Sequence, residues 1–138
     1  MHPILRNILS VIVGLIVCGA VNMVLIMISA SVIPPPEGVD VNDAASIAAH
    51  IDLFQPRHFL FPFLAHAMGS LVGAFVAAKI AASYKMTFAF VVGGIHLFGG
   101  IMAATMIPAP LWFILLDLGV AYLPMAWLGG RFANRGAR

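Results

Sequence analysis

The segment from His58 to Lys79, HFLFPFLAHAMGSLVGAFVAAK, constrains the fold more than any other part of the sequence. It is long and apolar enough to cross a bilayer, because a helix needs about 20 apolar residues to span the hydrocarbon layer. Small residues recur in it at a spacing of four and fall on one helical stripe: Ala65, Gly69, Gly73, Ala77 and Ala81. Such a stripe lets a neighbouring backbone approach closely in lipid, so we expect the other apolar segments to pack around this helix.

The composition indicates an integral membrane protein. Of the 138 residues, 62% are hydrophobic and 9% are charged, whereas soluble domains carry about 25% charged residues. The chain has room for four crossings and no separate soluble domain. We therefore predict an all-α, antiparallel bundle of four transmembrane helices that forms a single domain. The predicted helices cover residues 4–33, 58–82, 87–107 and 111–132.

The external loop, residues 34–57, is the only sizeable polar stretch, and it begins with three prolines that force an extended exit from the first helix. Asn42 or Asp43 is placed to cap a short helix through residues 44–49. The apolar side of that helix predicts that it lies along the membrane surface.

The charges predict the orientation of the bundle. Six cations lie at the helix ends that four alternating crossings place on one side: Arg6, Lys79, Lys85, Arg131, Arg135 and Arg138. The other side has Arg57 and four of the five acids: Glu37, Asp40, Asp43 and Asp52. By the positive-inside rule, both termini are cytoplasmic and the loop is outside. Because the cations are helix-end charges, we expect no nucleic-acid partner.

Five polar side chains inside the predicted helices form the candidate site: Asn22, His66, His96, Asp117 and Tyr122. Residue counts from the two short turns place His66 and Asp117 at one level, and His96, Tyr122 and Asn22 at a deeper level. An ionised aspartate in hydrocarbon costs about 2.5–3.5 kcal/mol, so Asp117 should face the interior and find a partner. We predict a His66–Asp117 hydrogen bond or ion pair, with the other three extending a polar seam.

This seam has two interpretations, and the sequence leaves both open. A buried polar network that only fixes helix register is the commoner one, because polar contacts between membrane helices contribute only about 0.6–2 kcal/mol each. The alternative is a titratable pair, since histidine changes charge near physiological pH. Close helix packing is predicted at the small residues of the second and third helices: Gly69, Gly73, Ala77, Gly93, Gly94, Gly99 and Gly100.

No cofactor is predicted. Two histidines on facing helices are typical of haem sites, but counting separates His66 and His96 by ~10 Å in depth, whereas axial ligands lie at one level. Cys18 is expected to be a small packing residue. A cation at the loop residues is not favoured, because loop histidines are usually solvated; these residues are His50, Asp52 and His58. Without a nucleophile-and-base pattern, a phosphate-binding loop or a dinucleotide fingerprint, we do not expect an enzyme.

Three motifs, PPPEGVD, HFLFPFLAHAMGSLVGA and LDLGVAYLPMAWLGG, carry a resemblance that covers nearly the whole chain. With them the chain resembles a family of small four-pass inner-membrane proteins of bacteria. The resemblance implies a four-helix membrane fold in the bacterial inner membrane, and it implies no activity and no functional residue. The chain lacks the first-helix glutamate of small multidrug exporters and the cysteine pair of quinone-coupled thiol oxidoreductases.

Three functions fit these features. The preferred prediction is a non-enzymatic assembly or accessory subunit, or a homo-oligomer, because small-residue faces are abundant and soluble surface is scarce. Its partners would be membrane lipids and further copies or a larger membrane complex. The second is a small proton-coupled transporter or channel that uses Asp117 and His66. The third is a lipid- or quinone-binding membrane enzyme whose seam holds a head group.

Overall fold

The structure is a computed structural model that describes residues 1–135. Within them the chain is 81% helical with no strands, which confirms the predicted all-α class. The helices, in chain order, are α1 (Pro3–Val32), α2 (Ala44–Ala49), α3 (Leu60–Ile80), α4 (Lys85–Met106), α5 (Leu111–Val120) and α6 (Leu123–Arg135), with 3-10 turns at Ile51–Leu53 and Pro56–Phe59. Arg138, one of the cations used to predict orientation, lies outside the described residues.

Four helical stretches are long and apolar enough to cross a membrane, and they make this a candidate multi-pass membrane protein. They are Pro3–Val32, Pro56–Ile80, Lys85–Met106 and Leu111–Arg135. The start of α1 lies beside the end of α3, because Arg6 Nε donates to the Ile80 carbonyl oxygen at 2.6 Å. We call the half of the bundle that contains these ends the termini half, and the half beside residues 33–59 the loop half.

Helix α3 is central, as the small-residue stripe predicts, and it contacts α1, α4 and α6. The whole stripe is buried: Ala65, Gly69, Gly73, Ala77 and Ala81. Helix α1 meets it with its own small residues, and a Cβ placed on Gly73 would lie 2.6 Å from Cβ of Cys18 and 2.7 Å from the Gly14 carbonyl oxygen. The two backbones are therefore in direct contact, which a larger side chain would prevent.

The face of α3 about 100° from the stripe packs on α4 and α6 through a cluster of small side chains. Its members are Ala74, Ala78, Ala89, Ala126 and Ala133. Beside them Gly129 of α6 lies against the backbone of α3, at the Leu71 carbonyl oxygen and the Phe75 amide nitrogen. This glycine was not among the predicted packing positions, although it follows Ala126 by three residues and so shares its helix face.

In each of the two glycine pairs of α4, one glycine packs against another part of the protein and the other does not. A Cβ on Gly93 would meet Ala126, and a Cβ on Gly100 would meet the Tyr122 ring, so these two pack as predicted. Nothing lies within 4 Å of the corresponding position at Gly94 or Gly99. Adjacent residues of a helix point about 100° apart, so only one member of each pair faces the neighbouring helix.

The fourth predicted helix, residues 111–132, is not continuous. Helix α5 ends at Val120 and α6 begins at Leu123. The cause is Pro124, which has no N–H for the Val120 carbonyl and whose ring crowds that carbonyl. The flanking hydrogen bonds persist, from the Ala121 amide to the Asp117 carbonyl at 2.9 Å and from the Ala126 amide to the Tyr122 carbonyl at 2.8 Å. The break is therefore local, and Tyr122 lies within it.

The segment between α1 and α3 forms the predicted short helix, capped by Asp43, whose carboxylate accepts from the Ala45 amide at 3.1 Å and the Ser46 amide at 3.2 Å. The loop histidines take part in turns. Nδ1 of His58 accepts from the Gln55 amide at 2.8 Å. Across residues 1–135, no group of three or more histidine, cysteine and acidic side chains is arranged to hold a metal ion.

Candidate functional site

The candidate site is built around the buried carboxylate of Asp117, a residue of α5 that as a whole is 4% exposed. His66 of α3 approaches it with Nδ1 at 2.8 Å from Oδ1 and 2.9 Å from Oδ2. The predicted contact between these two residues is therefore present. Because a carboxylate only accepts, Nδ1 carries the proton and donates to both oxygens. Nε2, on the far side of the ring, is then the nitrogen that faces away from the carboxylate.

Tyr122 supplies the second donor to this carboxylate. Its hydroxyl donates to Oδ2 of Asp117 at 3.0 Å, and its ring, which is fully buried, stacks on the His66 ring with centroids 5.4 Å apart. Residue counting placed Tyr122 a level deeper than Asp117, and that separation does not hold for the hydroxyl group. Helical side chains lean toward the N-terminal end of their helix, so the long tyrosine reaches back by more than one turn.

His96 of α4 also lies closer to the pair than the sequence predicts. Its ring centroid is 6.0 Å from that of His66 and 5.0 Å from that of Tyr122, both in edge-to-face geometry. The predicted ~10 Å separation in depth is therefore wrong, because counting along upright helices ignores helix tilt and side-chain length. The argument from depth against a haem bound by both histidines is therefore also wrong. Each histidine already directs its Nδ1 at another side chain of the protein.

A second cluster surrounds His96 and was not predicted. Its Nδ1 lies 2.9 Å from Ser70 Oγ and 3.1 Å from Cys18 Sγ, and both of these side chains are buried. With Nδ1 as acceptor, its single lone pair is shared, so either the hydroxyl or the thiol can donate to it. Cys18 is therefore a hydrogen-bonding partner and not only a packing residue. The available signal was its spacing, since Gly14 and Cys18 lie four residues apart on the face of α1 that meets α3.

Asn22 is the residue of the seam whose hydrogen-bonding groups are least satisfied. Its Oδ1 atom is buried and has no hydrogen-bond partner within the part of the chain that the structure describes. Asn22 and His96 flank Gly69, since a Cβ placed on that glycine would lie 3.5 Å from Asn22 Cβ and 3.2 Å from His96 Cε1. The predicted proximity of Asn22 to His96 is thus present, but a direct hydrogen bond to Oδ1 is not.

The chemistry open to this arrangement is proton exchange. With Nδ1–H as the donor, the two residues form an ion pair when Nε2 of His66 is also protonated and carry one net negative charge when it is not, and the Tyr122 hydroxyl stabilises the ionised carboxylate. Exposure differs between the partners, because the His66 side chain is 22% exposed and that of Asp117 is 6% exposed. His66 is therefore the less shielded member of the pair.

Comparison of the chain with protein-family models, with curated proteins and with solved structures found no match. The resemblance to small four-pass membrane proteins of bacteria therefore stays a prediction. Function is inferred from the geometry of the buried polar residues, because an all-α bundle alone is shared by proteins of many activities.

Proposed function

We propose that this protein is a small proton-coupled transporter in which the Asp117–His66 pair binds and releases the coupling proton. The observation that carries the proposal is the geometry of the pair, with Nδ1 of His66 placed between both carboxylate oxygens of a residue that is 4% exposed. A titratable pair inside a membrane-spanning bundle is the usual form of a proton-binding site in transporters.

The energetics favour this role over that of a passive register device. A charged group within the hydrocarbon layer costs about 2.5–3.5 kcal/mol, whereas neutral polar residues fix helix register at a smaller cost. The difference in exposure supports the same conclusion, because a coupling site needs one member that is less shielded than the other. A buried structural pair needs no such difference.

The proposed location is the inner membrane of a bacterium, with both termini in the cytoplasm. The distribution of charge supports this orientation. Five cations among the described residues lie at the helix ends of the termini half: Arg6, Lys79, Lys85, Arg131 and Arg135. The loop half has four acids and one arginine: Glu37, Asp40, Asp43, Asp52 and Arg57. We also propose, from the sequence resemblance alone, that the chain belongs to the family of small four-pass membrane proteins of bacteria.

Assembly into a homo-oligomer or a larger membrane complex is the second candidate function. The observation that favours it is on the outer surface of α4, where nothing lies within 4 Å of the Cβ position of Gly94 or Gly99. A helix from a second protein could approach the backbone closely there. Gly99→Leu should then lower the oligomer fraction in native mass spectrometry, and an unchanged fraction would count against this surface as an interface.

Proton coupling is tested in liposomes that contain the purified protein and a pH-sensitive dye. A small-molecule extract of bacterial cells is added outside, and proton entry is read from the dye. We expect extract-dependent proton entry for the wild type, and entry at the level of empty liposomes for Asp117→Asn. Asp52→Asn, the same change in an exposed loop carboxylate, should leave the rate unchanged. Equal rates for Asp117→Asn and the wild type, or no entry in either, would overturn the proposal.

A further inference from the structure

A groove of about 680 Å³ lies at the loop end of the bundle, between the end of α1 and the start of α3. One wall is the chain from Val32 to Glu37, which includes the three prolines, and the other includes Leu53, Gln55, Arg57 and His58. The groove therefore combines an apolar surface with side chains of both charges. It is separate from the Asp117 site, none of whose residues line it.

The two charges of the groove do not neutralise each other. Glu37 and Arg57 are both exposed, and they come from opposite walls. Among residues 1–135, the one pair of opposite charges within 4.0 Å is His66–Asp117, so Glu37 and Arg57 face the same space without forming an ion pair. A ligand that carries one positive and one negative group would satisfy both at once.

The wall that bears Arg57 is held in place by local contacts. The His58 ring accepts from the Gln55 amide and packs edge-on against Phe54, with centroids 5.6 Å apart. Next along the chain, Phe59 packs on Phe113 with ring centroids 4.8 Å apart. Phe59 also packs edge-on against Trp112, with ring centroids 5.6 Å apart, and because tryptophan is enriched at the membrane–water interface we place the groove at the depth of lipid head groups.

We propose that this groove binds the head group of a phospholipid with a primary ammonium, that is, a phosphoethanolamine head group. The phosphate would bind the Arg57 guanidinium, which suits phosphate oxygens in bidentate geometry. The ammonium would donate to the Glu37 carboxylate, and the glycerol backbone would lie on Val32 and Leu53. An anionic glycerol head group leaves Glu37 without a cation, and a quaternary ammonium has no N–H to donate to it.

Native mass spectrometry of the full chain in detergent tests this assignment. The protein is mixed with equal amounts of phosphatidylethanolamine, phosphatidylcholine and phosphatidylglycerol that have identical acyl chains. We expect the ethanolamine lipid to bind about fivefold or more over the other two, which corresponds to about one charge-assisted hydrogen bond. Equal binding of the three lipids would overturn the proposal.

Two substitutions identify the groups involved. Arg57→Gln should lower binding of the ethanolamine lipid about tenfold, and Glu37→Gln should lower it to the level of the choline lipid. Lys85→Gln and Asp52→Asn change charges that do not line the groove and should leave binding unchanged. If Arg57→Gln does not fold, Arg57→Lys keeps the charge and should weaken binding by less. No effect of Glu37→Gln would overturn the assignment of the ammonium.

The source of the head group is settled in the same experiment. Free phosphoethanolamine, added at the concentration of the lipid, should not displace it, because the free molecule has no acyl chains to bury beside α1. Displacement at equal concentration would mean that the groove takes a soluble zwitterion, and the lipid assignment would be wrong.

Discussion

The two halves of the bundle are held together in different ways. In the termini half the helices touch through alanine and glycine, and their backbones come close, as in the cluster of Ala74, Ala78, Ala89, Ala126 and Ala133. In the loop half the contacts are made by large or polar side chains, among them Phe59, His66, Phe113, Asp117 and Tyr122. Small residues bring helices together, whereas large ones hold them apart and leave room for a polar site.

This difference makes the termini half a tightly packed region and leaves the loop half with fewer contacts between its helices. Helix α6 packs extensively on α3, whereas α5, which carries Asp117, makes far fewer contacts with α3 and α4. The break at Ala121 and Tyr122 separates α5 from α6. A shift of α5 would therefore open the Asp117–His66 pair while the termini half stays closed, and the proposed transport role needs such an opening.

The strongest test of the packing in the termini half is Gly129→Leu. A side chain there would meet the Leu71 carbonyl oxygen, which is backbone and has no room to move. We expect the free energy of unfolding to fall by about 3 kcal/mol, at the upper end of the usual cost of overpacking, or the protein to fail to fold. Unfolding in mixed micelles, followed by circular dichroism, measures this change.

The matched control for that change is Gly19→Leu at an exposed position of α1, where nothing lies within 4 Å of the Cβ position. It should keep the free energy of unfolding or raise it by up to about 0.8 kcal/mol, because glycine is a poorer helix former than leucine. If both leucine variants lose similar stability, close backbone contact is not what distinguishes the termini half.

In the loop half the largest expected effect comes from Tyr122→Phe. This change removes the hydroxyl that donates to Asp117 and leaves the buried ring in place. The expected loss is about 1–2 kcal/mol, because hydrogen bonds to charged groups are worth more than neutral ones and membrane-helix contacts lie at the lower end. Tyr84→Phe, at a side chain that is 79% exposed, should have no measurable effect.

The sequence predicted the features that follow from helical periodicity. The stripe of α3 was identified because burial every four residues needs only the α-helical repeat. The His66–Asp117 contact followed from counting through two short turns, together with the cost of an unpaired carboxylate in lipid. Both arguments rest on backbone geometry, which a sequence of long apolar helices largely determines.

Features that depend on side-chain reach or on tilt were missed. Cys18 and Ser70 look like ordinary small residues of apolar helices, and only the packing of three helices brings them to His96. Tyr122 was placed too deep because its length was not considered. Pro124 was visible in the sequence, but a proline kinks a helix by an amount that depends on its neighbours, so the break was not predicted.

A smaller effect is expected at the second polar cluster. Ser70→Ala removes one of the two groups that can donate to His96 Nδ1, and Cys18 remains as the other. The expected loss is therefore about 0.5–1 kcal/mol, the net value of a single neutral hydrogen bond. Ser31→Ala, at an exposed position of α1, is the control and should be neutral. A loss above about 2 kcal/mol would mean that Ser70 supports the whole site.

The last substitution, at Asn22, is expected to raise stability instead of lowering it. Asn22 Oδ1 is buried without a partner in the described part of the chain, and an unsatisfied buried acceptor costs about 1–3 kcal/mol. Asn22→Leu, which keeps a similar volume and removes the acceptor, should therefore raise the free energy of unfolding by about 0.5–1 kcal/mol. Micelle unfolding beside the wild type measures the change. A stability loss would show that Oδ1 is hydrogen-bonded in the micelle, and its partner would then be water or a lipid head group.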